Sequence, residues 1–357
     1  VAGWRCGCRL PVVSHEHQFG SSGYRSRDQV RATYGAASDC LGLCLIAPGC
    51  CCTGATAYVT DHQFPLNPMK TFARRWLVPP GVKELLDSGK TLIKQRFRSR
   101  EERALLAQNA AIRNRHVGQR CFILGAGASI KEQNLKLLQG ECVISVSNTF
   151  VHPDFQLIKP RYHVLPTMLY GHSGLYGADR FVGWLKEMQE NTGDAEMFFH
   201  LGDRTMIQQA GLFQNRIIHW VDYVEWNGMT PFPLNLARIP HVGSVSELAI
   251  TVALYLGFDE IYLLGFDHDW FRGTLIYFYD YKEQHAMKPD ESKLAAAGID
   301  AEFQMRRHAD IFRKYKYLYR FRKNIYNANA DGAHYLDVFP KVEFECLFDS
   351  PPNIEGR

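Results

Sequence analysis

Charge of one sign is lacking in this 357-residue sequence: Lys and Arg total 41 against 37 acidic residues, a formal +4. So small an excess does not argue for nucleic acid, which is not expected as a partner. Cysteine is scarce beyond the first 52 residues. Seven of the ten lie there, and only Cys121, Cys142 and Cys346 follow. A body this poor in cysteine fits a reducing compartment and points to the cytoplasm. Zinc-type ligand pairs are missing too, because Cys6-x-Cys8 and Cys50-Cys51-Cys52 lack the C-x-x-C or paired-His spacing such a site needs. A long apolar run is also absent. The uncharged stretch from Cys40 to Thr60 is broken by Pro48 and several glycines and makes a poor spanning helix. No internal repeat or low-complexity tract is present.

The chain divides by composition. Residues 1–68, rich in Gly, Ser, Ala and Cys, carry no sustained periodicity. They read as an extension outside the fold or a non-native one. Arg25, Arg27, Arg31 and Ala55-Thr56-Ala57 loosely imitate a signal peptide. Met69 looks like a natural start, and Ile354-Glu355-Gly356-Arg357 in the tail 350–357 looks like a protease-site remnant. Residues 69–118 form a basic amphipathic helical segment, with twelve Lys/Arg against four acids between Met69 and His116. Such a face suits either an anionic membrane surface, placing the protein at the inner side of a membrane, or a solvated helix packed on the domain. Residues 119–349 hold the core, and Met69–Asp349 is expected to fold without the first 68 residues.

Within the core, short apolar runs alternate with helical stretches. Strands are expected at Cys121–Leu124, Cys142–Val146, Tyr162–Leu165, Glu196–His200, Ile217–Val221, Ile261–Leu264 and Asn324–Tyr326. Alternation of this kind predicts an α/β fold: a doubly wound, mostly parallel Rossmann-like sheet with a helical N-terminal extension. The strongest unit is Gly243–Trp270. Val245, Leu248, Ala249, Val252, Ala253 and Leu256 give one apolar helix face. Ser244 and Glu247 form a capping-box pattern, and Gly257 offers a left-handed stop. The apolar run 261–264 then ends at Gly265-Phe266-Asp267-His268-Asp269, where an open α/β sheet binds ligands.

Several residues there could carry chemistry. Gly125-x-Gly127 at a strand end lets backbone N–H groups approach a phosphate, and Ser129 adds a hydroxyl. The pattern is neither G-x-G-x-x-G nor a P-loop. Asn148, ending the next strand, suits a ribose or base, or forms a turn. Asp267 and Asp269 make an Asp-x-Asp that could hold a divalent cation such as Mg²⁺ against a diphosphate, and Asp267 is best placed to touch ligand. Two carboxylates flank His268 and would raise its pKa. Tyr277 and Tyr279 either pack as a strand face or donate to a phosphate. The helix from Glu302 to Lys323 carries a basic side.

In order, ILGAGAS, a strand ending in SN, GSVSELAITVALYLGFDEIYLLGFD and IYNAN resemble the 6-hydroxymethylpterin diphosphokinase MptE-like family. That family is related to bacterial sialyltransferases with a Rossmann-like fold and to motility accessory factors. The likeness spans roughly residues 119–348. It implies a nucleotide between Gly125–Ser129, Asn148 and the loops at Gly243, Ser244 and Gly265. In the sialyltransferases a His takes the acceptor proton and two tyrosines hold the leaving phosphate. Ala126 and Leu165 stand where those enzymes have Asn, and no Arg precedes Gly243 at the expected spacing. Counting back from Ile325-Tyr326, the base falls about three residues from His308, which leaves His308 favoured over His285. The expected activity is therefore glycosyl transfer from a nucleotide-activated donor, a CMP-sugar by the resemblance, to a surface glycan. A pterin diphosphokinase using ATP and Mg²⁺, or a nucleotide-binding protein without catalysis, are the alternatives.

Overall fold

The computed structural model describes residues 89, 97–167, 178–224, 226, 232–269, 277–279, 301–330 and 336–348. All belong to the unit Pro65–Arg357. The readings of residues 1–68, of most of the basic segment 69–96, of His285 and of the tail lie outside these residues.

Seven strands form one sheet: β1 (Arg120–Leu124), β2 (Val143–Val146), β3 (Tyr162–Val164), β4 (Glu196–His200), β5 (Ile218–Val221), β8 (Glu260–Leu264) and β9 (Ile325–Asn327). A separate parallel pair, β6 (Tyr223–Val224) and β7 (Ile239–Pro240), follows β5. The main sheet runs β5-β4-β3-β2-β1-β8-β9, and every neighbour pairs in parallel. Five strands are laid outward from β1, and the chain then returns to set β8 and β9 on its other side. All seven strands expected from the apolar runs are present, within a residue or so at their ends.

Alternate residues explain why the runs are continuous. Cys121, Ile123, Ile261 and Leu263 enter one core, while Phe122, Leu124, Tyr262 and Leu264 enter another on the opposite face. Both faces are covered, as parallel sheets require. The helices are α1 (Arg100–Ala107), α2 (Ala178–Asn191), α3 (Arg204–Gln209), α4 (Val245–Leu256) and α5 (Ala301–Phe321), with a single turn at Phe155–Ile158. The protein is thus a doubly wound α/β domain of Rossmann-like type.

One expectation about α4 needs correcting. Burial is not confined to the one apolar face read in the sequence, since every residue from Ser246 to Leu256 is buried. The helix lies over β1, β2 and β3, and its far side is roofed by the segment after α1. There Tyr255 donates to the Asn109 carbonyl at 3.1 Å, and the Asn114 and His116 amides donate to Tyr255 and Leu256. A helix apolar nearly all round belongs in such a place. Its ends are as read: Ser244 and Glu247 form the capping box, and Gly257 takes φ +85°. No helix among the described residues is long and apolar enough to cross a membrane.

Candidate functional site

The order of strands reverses between β1 and β8, so their loops leave the carboxyl edge in opposite directions. Such a switch point is where open α/β sheets bind ligands. Both loops singled out in the sequence, Gly125–Ser129 and Gly265–Asp269, are therefore neighbours. They are also bonded together. The Gly125 amide donates to the Leu264 carbonyl at 2.7 Å, and the Gly127 amide donates to the Gly265 carbonyl at 2.8 Å. The β1–β8 ladder simply runs on past the strands.

This changes the role of the glycines. The Gly125 and Gly127 amides are engaged by protein carbonyls and do not face a phosphate. A Cβ on Gly127 would lie 2.6 Å from the Asp267 carboxylate and 2.7 Å from the Gly265 carbonyl. Gly265 itself has φ +68°, and a Cβ there would come within 2.6 Å of the Gly125 carbonyl. The glycines are needed because two backbones touch.

Asp267 turns into this loop. Its Oδ2 accepts the Ser129 amide at 3.0 Å, its Oδ1 accepts the Ser129 hydroxyl, and the Ala128 amide also bonds it. Burial holds its carboxyl above the ordinary value, with those hydrogen bonds pulling the other way and nearby Asp269 adding to the rise. The carboxylate thus occupies the place read for a phosphate oxygen. Among the described residues no group of three His, Cys, Asp or Glu side chains could hold a metal ion. Mg²⁺ more often uses one or two carboxylates plus substrate phosphates, and both oxygens of Asp267 are here already engaged by Ser129.

Tyr277 and Tyr279 sit directly on the glycine loop. Tyr277 forms an antiparallel bridge with Gly127, and the Phe278 amide donates to the Ala126 carbonyl at 3.1 Å. The two phenol rings stack with centroids 5.3 Å apart. Asn148 joins them: its Nδ2 donates to the Tyr279 hydroxyl at 2.9 Å, and its Oδ1 accepts from Trp184 Nε1 at 2.5 Å. So Asn148 positions a tyrosine and does not present its amide to a ribose. Burial, ahead of the effect of Tyr277, raises the Tyr279 pKa and keeps it a neutral phenol.

The histidines form the third part. His308, in the second turn of α5, lies edge-on to His268 with ring centroids 6.1 Å apart. Tyr315 donates to Ser246 Oγ at 2.5 Å, so its oxygen accepts from His268 Nε2 at 3.1 Å. Ser246 in turn donates to Ser244 Oγ at 2.7 Å. A line of donors therefore runs from the β8 loop to the cap of α4. The expected rise in the His268 pKa is overturned. Asp267 faces Ser129 instead, and burial, with His308 and Arg307 adding, pushes His268 down to about 3. Burial, then Arg307, also lowers His308. Both rings are neutral near pH 7.

At the start of α4, the Gly243 and Ser244 amides both donate to Glu247 Oε2, at 2.5 and 2.9 Å. The Gly243 carbonyl accepts from Arg307. These amides, too, are satisfied internally and do not await a nucleotide. Leu165 is buried beyond β3.

Two features escaped the sequence reading. Asn329 pairs its side-chain amide with both the amide and carbonyl of Phe266, at 3.1 and 3.2 Å, and so fixes the β8 loop; its place within IYNAN was the available signal. His200 Nε2 lies 3.1 Å from Asp222 Oδ1 at the ends of β4 and β5, and Arg98 bonds the same carboxylate. His200 Nδ1 accepts the Gly202 amide at 3.0 Å, so both its ring nitrogens are committed to bracing. No local pattern marked it.

Fold and site together define a Rossmann-like α/β protein with tyrosine- and histidine-bearing loops at its switch point. Compared with known protein families and with curated proteins, the chain matches none.

Proposed function

We propose that the protein is a glycosyltransferase of the sialyltransferase-like kind, moving a sugar from a nucleotide-activated donor, a CMP-sugar, to a surface glycan. The observation that carries this reading is the stacked pair Tyr277 and Tyr279, set on the glycine loop at the switch point, with neutral His268 on the β8 loop and His308 against it on α5. Two phenols suit a departing phosphate, because each can donate a hydrogen bond to an oxygen gaining charge. His308 is the assigned general base. A histidine kept unprotonated near neutral pH can take the acceptor proton while the sugar–phosphate bond breaks. Asp267 holds the glycine loop in shape, and the reaction is a single inverting displacement.

The test is a ligand panel of CMP, CMP-sugars, UDP, GDP and ATP with and without Mg²⁺, followed by turnover. A cytidine ligand at a hundred times its dissociation constant should stabilise the fold by about 2.7 kcal/mol. His308→Ala should then cut transfer by about a hundredfold or more while donor binding holds. Stabilisation by ATP and Mg²⁺ alone, with pyrophosphorylation of a pterin alcohol, would replace this reading by the diphosphokinase. Transfer within twofold of wild type in His308→Ala would move the base elsewhere.

A further inference from the structure

A groove of about 600 Å³ runs along the outer side of α5, away from the switch-point loops. Four cations line it, Arg313, Lys316, Arg320 and Lys323, against one carboxylate, Asp337. Arg313, Lys316 and Arg320, three and four residues apart, form one stripe of α5 about 10 Å long, and Lys323 follows two residues past the helix end. Arg313 shares Asp310 with Lys314, at 2.7 Å from each. Lys316 and Arg320 are exposed and, among the described residues, meet no carboxylate. A helix stripe of one sign with unneutralised charges invites an anion.

We infer that this groove binds a carboxylated glycan chain. Charge complementarity selects a polyanion, and the planar Arg forks can each grip a carboxylate bidentately. A groove fits a chain laid along it better than a flat bilayer. Stacking surfaces, which single-stranded RNA uses, are already taken. Lys323 covers the Tyr319 ring at 4.2 Å, and Tyr317 meets Trp226 and Phe321 at 4.9 and 5.0 Å. The choice of a glycan over an acidic peptide rests on the glycosyl-transfer reading. Geometry makes the groove an acceptor site at a distance. Because α5 leads into the parallel strand β9, its start faces the carboxyl edge, and the stripe begins about 8 Å and ends about 18 Å along the axis from His308. A bound chain would have its far end gripped several sugars from the reacting one.

The experiment uses the full chain and a fluorescent oligogalacturonate, without donor, read by anisotropy at low and at physiological salt. Wild type should bind, and more weakly as salt rises. K316E/R320E should bind at least tenfold more weakly, and K316Q/R320Q should follow in the same direction, with melting temperatures unchanged at these exposed positions. K136E/K186E, an equal charge change at exposed lysines elsewhere, should stay within twofold of wild type. Equal weakening in both charge-reversed proteins, or none in the groove variant, would overturn the inference. So would tighter, groove-dependent binding of a single-stranded RNA, poly-glutamate or phosphatidylserine vesicles. Since binding is read without turnover, a protein that never transfers sugar yet loses glycan binding in K316E/R320E would keep the groove and refute the transferase.

Discussion

Gly125, Gly127 and Gly265 show how a residue type can be read correctly and its purpose misread. In the sequence they resemble a phosphate cradle; in the structure they let two loops meet backbone to backbone. A substitution there should strike folding before it strikes ligand binding. Gly127→Ala is expected to lose about 1–3 kcal/mol, the usual range for overpacking a tight site, because the new methyl meets the Asp267 carboxylate. Urea unfolding of the variant measures this. A stability equal to wild type, with nucleotide affinity lost, would restore the cradle. His268 carries the same lesson for charge. Its chain neighbours are acidic, yet Asp267 bonds Ser129, 138 residues away, and the imidazole is left among Tyr315, Phe312 and His308. Sequence adjacency sets composition, and tertiary contacts set the field.

Elements were far easier to foresee than their bonding. Strands buried on both faces announce themselves as apolar runs, and α4 carried its cap residues in plain view. The pair β6 and β7 did not, because two-residue strands have no period to detect. Nor could any local pattern reveal that Glu247, besides capping α4, sits against Lys314 of α5 at 3.1 Å. Lys314 also lies 2.7 Å from Asp310 and donates to the His241 carbonyl at 2.6 Å. This is the buried tie that holds the helix of His308 against the helix that roofs the sheet. Burial raises the Glu247 pKa, and Lys314 opposes that rise. Lys314→Met should therefore cost about 3–5 kcal/mol, the scale for stranding one buried charge. Adding Glu247→Gln should recover a large part of the loss in denaturant unfolding. If the double variant is as unstable as the single one, the tie is packing and not charge.

For the whole molecule, acid should be the sharpest stress. His163 and His268 are both buried and both pushed from 6.5 down to about 3. Between those values the unfolded chain carries protons on both rings and the folded chain does not. Stability is therefore complete above about pH 6.5 and falls as pH drops toward 3, by about 1.4 kcal/mol per pH unit for each ring. Urea midpoints at several pH values measure the slope, and His163→Asn should roughly halve it; a slope unchanged by that substitution would assign the acid sensitivity to other groups. The strand order has a consequence of another kind. The sheet reverses at β1 against β8, where Phe122 pairs with Tyr262, 140 positions further on. Pairings this distant close slowly. At ribosomal speeds of about 5–20 residues per second, β1 waits on the order of 10 s for its second partner, with one edge bare and four strands already stacked on the other side. The loop pair at the switch point cannot form until that late strand arrives, and a nascent chain is most open to aggregation during the interval in which β1 keeps one edge unpaired.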